Sequence, residues 1–171
     1  MRSFPFLTLI FFVTSCNTKG PSVFTTENSD LTLGQEVKST LTLHAADTFR
    51  LNLTENAFVT GHADQLSVDV VVTVFGPDRK EMDSFDEPAR GPELFQFTTR
   101  QAGIHKIVVT PFRENKGEYI MKLKMAEALE TDPSKRVDQL VKAMIGDDGP
   151  GASIAVFRDG KIIYSNGFGH A

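Results

Sequence analysis

Valine occupies every second position of the segment SVDVVVTVF, residues 67–75. Successive side chains of a β-strand point to opposite faces, so these valines share one face: Val68, Val70, Val72 and Val74. Val71 and Phe75 make the other face partly apolar, which predicts an interior strand of a sheet. The strand is expected to end at Gly76-Pro77-Asp78, because proline fixes φ and lacks an amide donor.

Further segments with the same two-residue period recur between turn signals. They are FRLNL from Phe49, ELFQFTT from Glu93, GIHKIVVTPF from Gly103 and GEYIMKLKM from Gly117. Short alternating segments of this kind are typical of antiparallel strands in a sandwich or barrel. We therefore predict a mainly β fold, with an antiparallel, jelly-roll-like β-sandwich over residues 31–125.

The N-terminus has the composition of a targeting segment. Arg2 gives it a positive start, and Phe4 to Val13 is an apolar run of ten residues, too short for a membrane-spanning helix. The run leads into Val13-Thr14-Ser15-Cys16, which resembles the lipobox of bacterial lipoproteins. The resemblance implies a signal peptide over residues 1–15 and lipid attachment at Cys16. The alternatives are a generic signal peptide with a chance cysteine near its end, or a cysteine that is simply buried.

Lipidation of Cys16 would place the chain outside the cytoplasm, anchored to a bacterial membrane. Cys16 is the only cysteine, so it cannot form an internal disulfide in an oxidising compartment. Residues 16–30 are polar, contain Gly and Pro and show no period, which predicts a tether. We expect the outer membrane, with the protein facing the periplasm or the cell surface.

The strand pattern changes after Met125. Residues 126–132 are predicted to be a linker, and Asp132 and Pro133 suit the N-cap and first position of a helix. Apolar residues follow at helical spacing, and they are Val137, Leu140, Val141 and Met144. The helix is expected to end near Gly146.

A β-hairpin is predicted after the helix. Residues 152–158 form its first strand and residues 161–165 the returning strand, with Asp159-Gly160 as a type I′ turn between them. Both faces of this hairpin carry apolar residues. A two-stranded hairpin is marginally stable alone, so this one is expected to belong to a larger sheet.

The charge of the chain argues against a nucleic acid partner. It has 18 Lys and Arg against 22 Asp and Glu, a formal net charge of −4, and its basic residues do not cluster. Its histidines, His44, His62, His105 and His170, lack the spacing of a metal site. We predict no metal and no cofactor.

Two polar features of the sandwich are interpreted as structural. Residues 80–92 (KEMDSFDEPARGP) are expected to be a solvated acidic loop or edge segment. Its carboxylates, Asp83, Asp86 and Glu87, lack the spacing and glycine of an EF-hand calcium loop. His105 alternates with Ile107 and Val109, so we expect it to lie buried or at the rim of a strand.

Residues 31–125 resemble the prepeptidase C-terminal type of β-sandwich domain found in secreted bacterial hydrolases. The segments that carry the resemblance are DTFRL (47–51), DVVV and GPD (69–72 and 76–78), AGIHKI (102–107) and GEYIMKL (117–123). In that family these patterns mark strands and turns and no catalytic residues. The resemblance implies an accessory role in targeting, secretion or substrate contact.

The helix and PGASIAVFRDGKIIYSNGFGHA (150–171) resemble the N-terminal entry of the serine β-lactamase and penicillin-binding-protein fold, particularly its class C β-lactamase-like hydrolases. There the first helix packs on a sheet whose opening hairpin is similar to residues 151–169 and ends in a Gly-x-Gly-x-Ala pattern, as residues 167–171 do. The resemblance implies that residues 133–171 begin an α/β serine hydrolase domain, which is incomplete in this chain.

The chemistry of that family needs a Ser-x-x-Lys pair, because a serine hydroxyl requires a neighbouring base. No serine in the chain has lysine three residues later; Ser134, Ser153 and Ser165 are followed there by Val or Phe. Tyr164-Ser165-Asn166 matches the family's Tyr-x-Asn element, but it stands in the opening hairpin. We expect Tyr164 to pack and Asn166 to begin a turn, and we predict no catalytic residue.

These observations predict the N-terminal portion of a lipid-anchored, extracytoplasmic β-lactamase-like serine hydrolase. The chain itself is expected to be inactive, and the longer protein to be a β-lactamase, DD-peptidase or esterase-like enzyme. Expected partners are the membrane, the remainder of the hydrolase domain, and glycan or peptidoglycan. The alternative is a non-catalytic surface lipoprotein whose sandwich binds glycan or protein.

Replacing Cys16 tests the predicted anchor. We expect the chain expressed in a bacterium to enter the membrane fraction, and its Cys16→Ser variant to leave that fraction, because serine cannot form the thioether to lipid. The measurement is fractionation followed by immunoblotting. An equal distribution of both proteins would contradict lipidation.

Overall fold

The computed structural model describes residues 25–27, 30–87, 91–146 and 149–170. Cys16 and the predicted signal peptide lie outside these residues. The strands are β1 (Thr25–Glu27), β2 (Glu36–Leu41), β3 (Ala46–Leu53), β4 (Ala57–Gln65), β5 (Val70–Phe75), β6 (Glu81–Phe85), β7 (Pro92–Thr98), β8 (Gly103–Pro111), β9 (Gly117–Ala128), β10 (Ala152–Arg158) and β11 (Lys161–Phe168). One helix, α1 (Pro133–Ile145), joins β9 to β10.

Strands β2 to β9 form two antiparallel four-stranded sheets, which confirms the predicted β-sandwich. One sheet has the order β2-β9-β4-β7, and the other has the order β3-β8-β5-β6, with β1 added in parallel beside β3. Among β2 to β9, β5 and β6 are the one pair of consecutive strands in the same sheet, and every other step crosses to the opposite sheet. The two sheets therefore fold as one unit.

The core lies between the sheets and follows the alternation of the sequence. The predicted valine face of residues 68–74 is fully enclosed. Phe49, Ile107 and Val109 lie on the same sheet, and Phe95 and Met121 face them from the other. Burial of this apolar surface, at roughly 25 cal/mol per Å² removed from water, is the main stabilising term.

Asp47 is a buried acidic residue that joins the two sheets. Its Oδ2 accepts hydrogen bonds from Ser39 Oγ at 2.6 Å and from Tyr119 Oη at 2.7 Å. Asp47 belongs to β3, whereas Ser39 and Tyr119 are register partners on β2 and β9. Burial, and then the bond to the carboxylate, raise the pKa of the Tyr119 hydroxyl far above its ordinary value.

Gly61 in β4 is required by close packing. A Cβ built on it would lie 2.2 Å from Cζ of Phe95 and 2.5 Å from the carbonyl oxygen of Lys122. The register between β4 and β9 also shifts between Thr60 and Gly61. A side chain at this position would displace a core phenylalanine or the backbone of the central strand β9.

Two predicted connections are partly strand. Residues 25–27 of the predicted tether form β1, because the outer edge of β3 offers unpaired backbone groups to them. The predicted linker 126–132 begins inside β9, which continues to Ala128 and pairs there with Ala57 of β4. The strand continues beyond Met125 because its backbone remains hydrogen-bonded to β4, although the alternation of apolar residues has ended.

Helix α1 begins and ends as predicted. Asp132 caps it by accepting from the backbone N–H groups of Ser134 and Lys135, and Gly146 ends it with φ of 69°. Of the predicted apolar positions, Val141 is buried and Val137 and Leu140 are half-buried, whereas Met144 near the end of the helix is 75% exposed. The other buried residue has a polar side chain, which attaches the helix to the sandwich.

That side chain is Gln139. Its Nε2 donates to Glu127 Oε1 at 2.7 Å and to the carbonyl oxygen of Ala128 at 2.8 Å. Its Oε1 accepts from the backbone N–H of Glu130 at 3.1 Å. The guanidinium carbon of Arg136 lies 4.3 Å from the ring centroid of Phe58 on β4. Within the described part of the chain, no helix is long and apolar enough to cross a bilayer.

The hairpin also forms as predicted, with φ of 49° at Asp159 and 73° at Gly160 in its turn. Strand β11 is longer than expected and continues to Phe168, so Asn166 pairs with Ile154 and does not begin a turn. The two strands form a separate two-stranded sheet. None of their described residues is buried.

The chain's two tyrosines allow a matched test of the inter-sheet link. Tyr119→Phe removes a buried hydrogen bond to a carboxylate and should lower the free energy of unfolding by about 2 kcal/mol. Tyr164→Phe also removes a hydrogen bond to a carboxylate, that of Asp138, but this bond joins the hairpin to α1 outside the sandwich core, so the free energy of unfolding of the sandwich should change by less than about 0.5 kcal/mol. Urea denaturation measures both. Equal effects of the two substitutions would contradict the role given to Asp47.

Candidate functional site

A cleft of about 590 Å³ opens at one end of the sandwich, between the two sheets. The turn from β5 to β6 and the start of β6 line one side, and the end of β7 with its following loop lines the other. The lining residues are Asn56, Gly76, Pro77, Asp78, Lys80, Glu81, Met82, Asp83, Phe97, Thr98, Thr99, Arg100, Gln101 and His105.

His105 is one of two buried polar residues of this cleft, and Thr99 is the other. His105 is 0% exposed, and it alternates along β8 with the buried Ile107, as the sequence predicts. Its Nδ1 lies 3.1 Å from the carbonyl oxygen of Gly103, which can only accept a hydrogen bond. In the neutral ring Nδ1 therefore carries the proton, and Nε2 is left as an acceptor. Among the described residues, Nε2 has no hydrogen-bond partner.

The rim of the cleft is polar and carries charges of both signs. Asp78 pairs with Lys80 at 3.2 Å, and hydrogen bonds from the backbone and side chain of Lys80 lower the pKa of Asp78. The exposed carboxylates of Glu81 and Asp83 and the exposed guanidinium of Arg100 also line the cleft. The charges nearly balance, so the cleft does not select strongly for an anion or a cation.

Neutral groups complete the rim and one wall. Asn56 and Gln101 are exposed amides, and each offers both donors and an acceptor. Phe97, Met82 and Pro77 supply apolar surface beside them, and the ring centroid of Phe97 lies 6.3 Å from that of His105. The arrangement can bind a small ligand by hydrogen bonds to neutral groups and by apolar contact.

An acidic cluster lies toward the other end of β7, around Glu93. This residue is 0% exposed; its Oε2 accepts from the backbone N–H of Glu87 at 2.9 Å, and its Oε1 has no partner among the described groups. Burial raises the pKa of Glu93, and the carboxylates of Asp86, Glu87 and Asp69 add to the effect. The bond from the Glu87 N–H opposes this rise in the pKa but does not cancel it.

No group of three or more His, Cys, Asp or Glu residues could hold a metal ion in the part of the chain that the structure describes. The acidic segment predicted over residues 80–92 contains the edge strand β6, which places Asp83 on a strand next to the cleft. Asp86 and Glu87 follow that strand near Glu93. Residues 88–90 lie outside the described residues.

The structure separates the serines that the sequence excludes as nucleophiles. Ser134, Ser153 and Ser165 are exposed on α1, β10 and β11. Tyr164 and Asn166 both donate to Asp138 Oδ1 on α1, Asn166 at 2.9 Å, and these bonds lower the pKa of Asp138. The Tyr-x-Asn residues therefore join the hairpin to the helix.

Sequence reasoning missed Glu93 and the residues of the cleft. The signal for Glu93 was present, because it shares the inward face of β7 with Phe95 and Phe97. The cleft had no local signal, since its lining comes from segments that are distant in sequence, such as Asn56 and Gln101. His105 was correctly predicted to be buried, but its free Nε2 was not foreseen.

Fold and cleft together define a two-sheet β-sandwich module with a docked helix and hairpin. The chain is similar to the pre-peptidase C-terminal domain of collagenase from Bacillus anthracis, with 12% identity and a TM-score of 0.47 over 58% of this chain and 97% of that one. It is also similar to PliG of Aeromonas hydrophila, a periplasmic inhibitor of g-type lysozyme, with 13% identity and a TM-score of 0.45 over 58% of this chain and 99% of that one.

At these TM-scores neither similarity carries an argument about function. No protein-family model matches the chain, and no curated protein matches it. Neither of the two structures concerns a β-lactamase-like domain, so that part of the sequence interpretation stays a prediction.

The buried carboxyl of Glu93 predicts a pH-dependent stability. The pKa of Glu93 is higher in the folded than in the unfolded protein. Its contribution to the free energy of unfolding is therefore full when the pH is below the pKa of the unfolded protein, and it is lost as the pH rises through the pKa of the folded protein. Glu93→Gln should therefore raise the melting temperature by several degrees at neutral pH. Below about pH 4 the gain should vanish, because glutamate is then protonated in both states.

Glu114→Gln is the matched control, since Glu114 is exposed. It removes the same charge and should change little at either pH. Thermal melts followed by circular dichroism measure both variants. A loss of stability in Glu93→Gln at neutral pH would show that the ionised carboxylate is the favoured form.

Proposed function

We propose that the chain is the N-terminal portion of a lipid-anchored, extracytoplasmic serine hydrolase of the β-lactamase-like type. In this proposal the sandwich is an accessory module, and α1 with the β10–β11 hairpin begins the catalytic domain. The strand orders β2-β9-β4-β7 and β3-β8-β5-β6, with chain connections that cross between the sheets, support a jelly-roll arrangement of the accessory module. Cys16 supplies the anchor, and the net charge of −4 argues against nucleic acid as a partner.

The uncovered hairpin is the observation that carries the proposal. Phe157, Ile162 and Ile163 are 64%, 60% and 49% exposed, although they lie in or beside regular strand pairing. Isolated two-stranded sheets are marginally stable, and exposed apolar strands are normally covered by further strands or helices. The exposed apolar residues of the hairpin are therefore those expected of the first two strands of a larger sheet.

The helix gives this hairpin a defined starting position. Asp138 accepts from both Tyr164 and Asn166, and the neighbouring Gln139 bonds to the last strand of the sandwich. Met144, 75% exposed on the same helix, offers a further apolar contact to a covering layer. These contacts support a helix and hairpin that together enter a second domain.

A binding role for the sandwich is the second candidate function, and the cleft at His105 favours it. In that case the protein is a surface lipoprotein that binds glycan or protein without catalysis. The cleft provides hydrogen-bonding groups and an apolar wall whatever follows the hairpin. The two candidates are compatible, since an accessory module can bind the material on which a hydrolase acts.

Sequence and activity downstream of residue 171 test the hydrolase proposal. We expect a Ser-x-x-Lys sequence there, and turnover of a chromogenic cephalosporin or an aryl ester by the longer product. The 171-residue chain should be inert, because none of its serines has a lysine partner.

Two results would contradict this proposal. Turnover by the 171-residue chain that survives Ser153→Ala and Ser165→Ala would reveal a different active site. A longer product that has no Ser-x-x-Lys and no activity would leave the binding role of the sandwich as the function.

A further inference from the structure

We propose that an extended segment of another protein binds to this chain as an added strand on the free edge of β7, in the gap between β7 and β6. The segment carries apolar side chains on one face and basic side chains on the other. The inference rests on the binding role proposed for the sandwich, for which it names the partner, and it is independent of the hydrolase proposal.

The free edge of β7 presents a row of backbone hydrogen-bonding groups. The N–H of Thr99 donates to the carbonyl oxygen of Ala57 at 2.9 Å, and the register with β4 is regular along the whole of β7. Hydrogen bonding alternates along an antiparallel pair, so the N–H and C=O groups of Leu94, Gln96 and Thr98 point away from β4. Among the described residues no strand pairs with that side. Such a row is a template for another strand.

Strand β7 is the least protected edge of the described sandwich. Sheet edges are normally guarded by charged side chains, register irregularities or shortness. Strands β2 and β6 carry exposed charged residues, β6 also has a register shift against β5, and β1 is three residues long. On β7 the corresponding residues are Leu94, Gln96 and Thr98, which are uncharged, and Leu94 is 54% exposed. This edge therefore lacks the usual protection against pairing.

The opposite side of the sandwich shows how such a gap is closed. There the backbone N–H of Leu31 donates to the carbonyl oxygen of Arg50 on β3 at 3.3 Å, and that of Gly34 donates to the carbonyl oxygen of Leu123 on β9 at 2.9 Å. A piece of this chain thus bonds to both sheets, and β1 pairs with β3 as an added strand. Between β6 and β7 the cleft of about 590 Å³ takes that place, and no described segment fills it. A further segment of polypeptide is the ligand that matches this arrangement.

The carboxylates of β6 disfavour a second copy of this chain as the partner. The twofold axis of an antiparallel strand pair is perpendicular to the sheet, so two copies joined through β7 would also bring their β6 strands together. The exposed carboxylates of Glu81, Asp83, Asp86 and Glu87 would then meet their counterparts, and residues 81–87 contain no basic residue to compensate. A single added strand avoids this repulsion.

Asp83 gives the added strand its charge preference. It is the register partner of Val74, which is buried in the core, so Asp83 is on the inward face of β6. It is exposed and lines the cleft opposite β7. Inward side chains of the added strand would face it, and a lysine or arginine there would pair with Asp83 while its stem covers Met82. Outward side chains would lie beside Leu94, where apolar residues are favoured.

Fluorescence anisotropy with the full chain in a non-ionic detergent tests the proposal. The probe is a labelled nine-residue peptide in which valine and lysine alternate, and we expect it to bind. Two further peptides are N-methylated, one at its valines and one at its lysines. Because alternate amides of an added strand bond to β7, one methylated peptide should lose binding and the other should keep it. Equal effects of the two methylations would contradict strand addition.

Variants of the chain locate the site. Gln96→Pro removes an N–H of the free edge and no bond to β4, so it should weaken peptide binding about tenfold or more. Gln96→Ala keeps that N–H and should bind like the parent protein. Asp83→Lys should weaken binding by a similar factor, whereas Glu114→Lys, in the loop from β8 to β9, should not. Should Gln96→Pro fail to fold, the Asp83 and Glu114 variants decide together with the methylated peptides.

Each other outcome overturns the inference. Peptide binding that is unaffected by Gln96→Pro would move the site elsewhere and leave the binding role standing. A dimer in sedimentation velocity that Gln96→Pro dissociates would identify a second copy as the occupant. Sedimentation of the chain with insoluble peptidoglycan, without peptide binding, would give the binding role a glycan ligand instead. Binding of neither probe would remove the binding role together with the added strand.

Discussion

The carboxylate of Asp47 holds the two sheets in register across the core. Ser39 and Tyr119, which are partners in one sheet, both donate to this acidic residue of the other. Apolar packing alone is non-directional, so it permits sheets to slide over each other. A buried polar bridge has one geometry that satisfies all its members, and it restricts the packing to that arrangement.

Strands with a clear two-residue period were predictable from the sequence, whereas β2, β4 and the order of the strands in the sheets were not. Residues 67–75 show a two-residue period that depends only on local geometry, and the structure buries the predicted valine face. Sheet order depends on which strands meet in space, and here nearly every connection crosses between sheets. No short-range pattern distinguishes such crossings from simple hairpins.

Sequence reasoning was incomplete where polar residues take inward positions. The apolar spacing of the helix did not predict that Gln139 would be buried beside Val141 and would donate to Glu127 and to the carbonyl oxygen of Ala128. Glu93 and His105 likewise lie on inward faces of β7 and β8, each with a polar atom that has no partner among the described groups. Such residues weaken a core, and in this sandwich one of them lines the candidate binding cleft.

Adjacent residues of α1 connect its two neighbours. Gln139 bonds to the sandwich and Asp138 to the hairpin, so a single helical turn transmits the orientation of one to the other. Inserting one residue between these positions would rotate the hairpin by about 100° about the helix axis and shift it by about 1.5 Å. The spacing of these two residues along the helix, rather than any broad interface, thus sets the direction in which the chain leaves the sandwich.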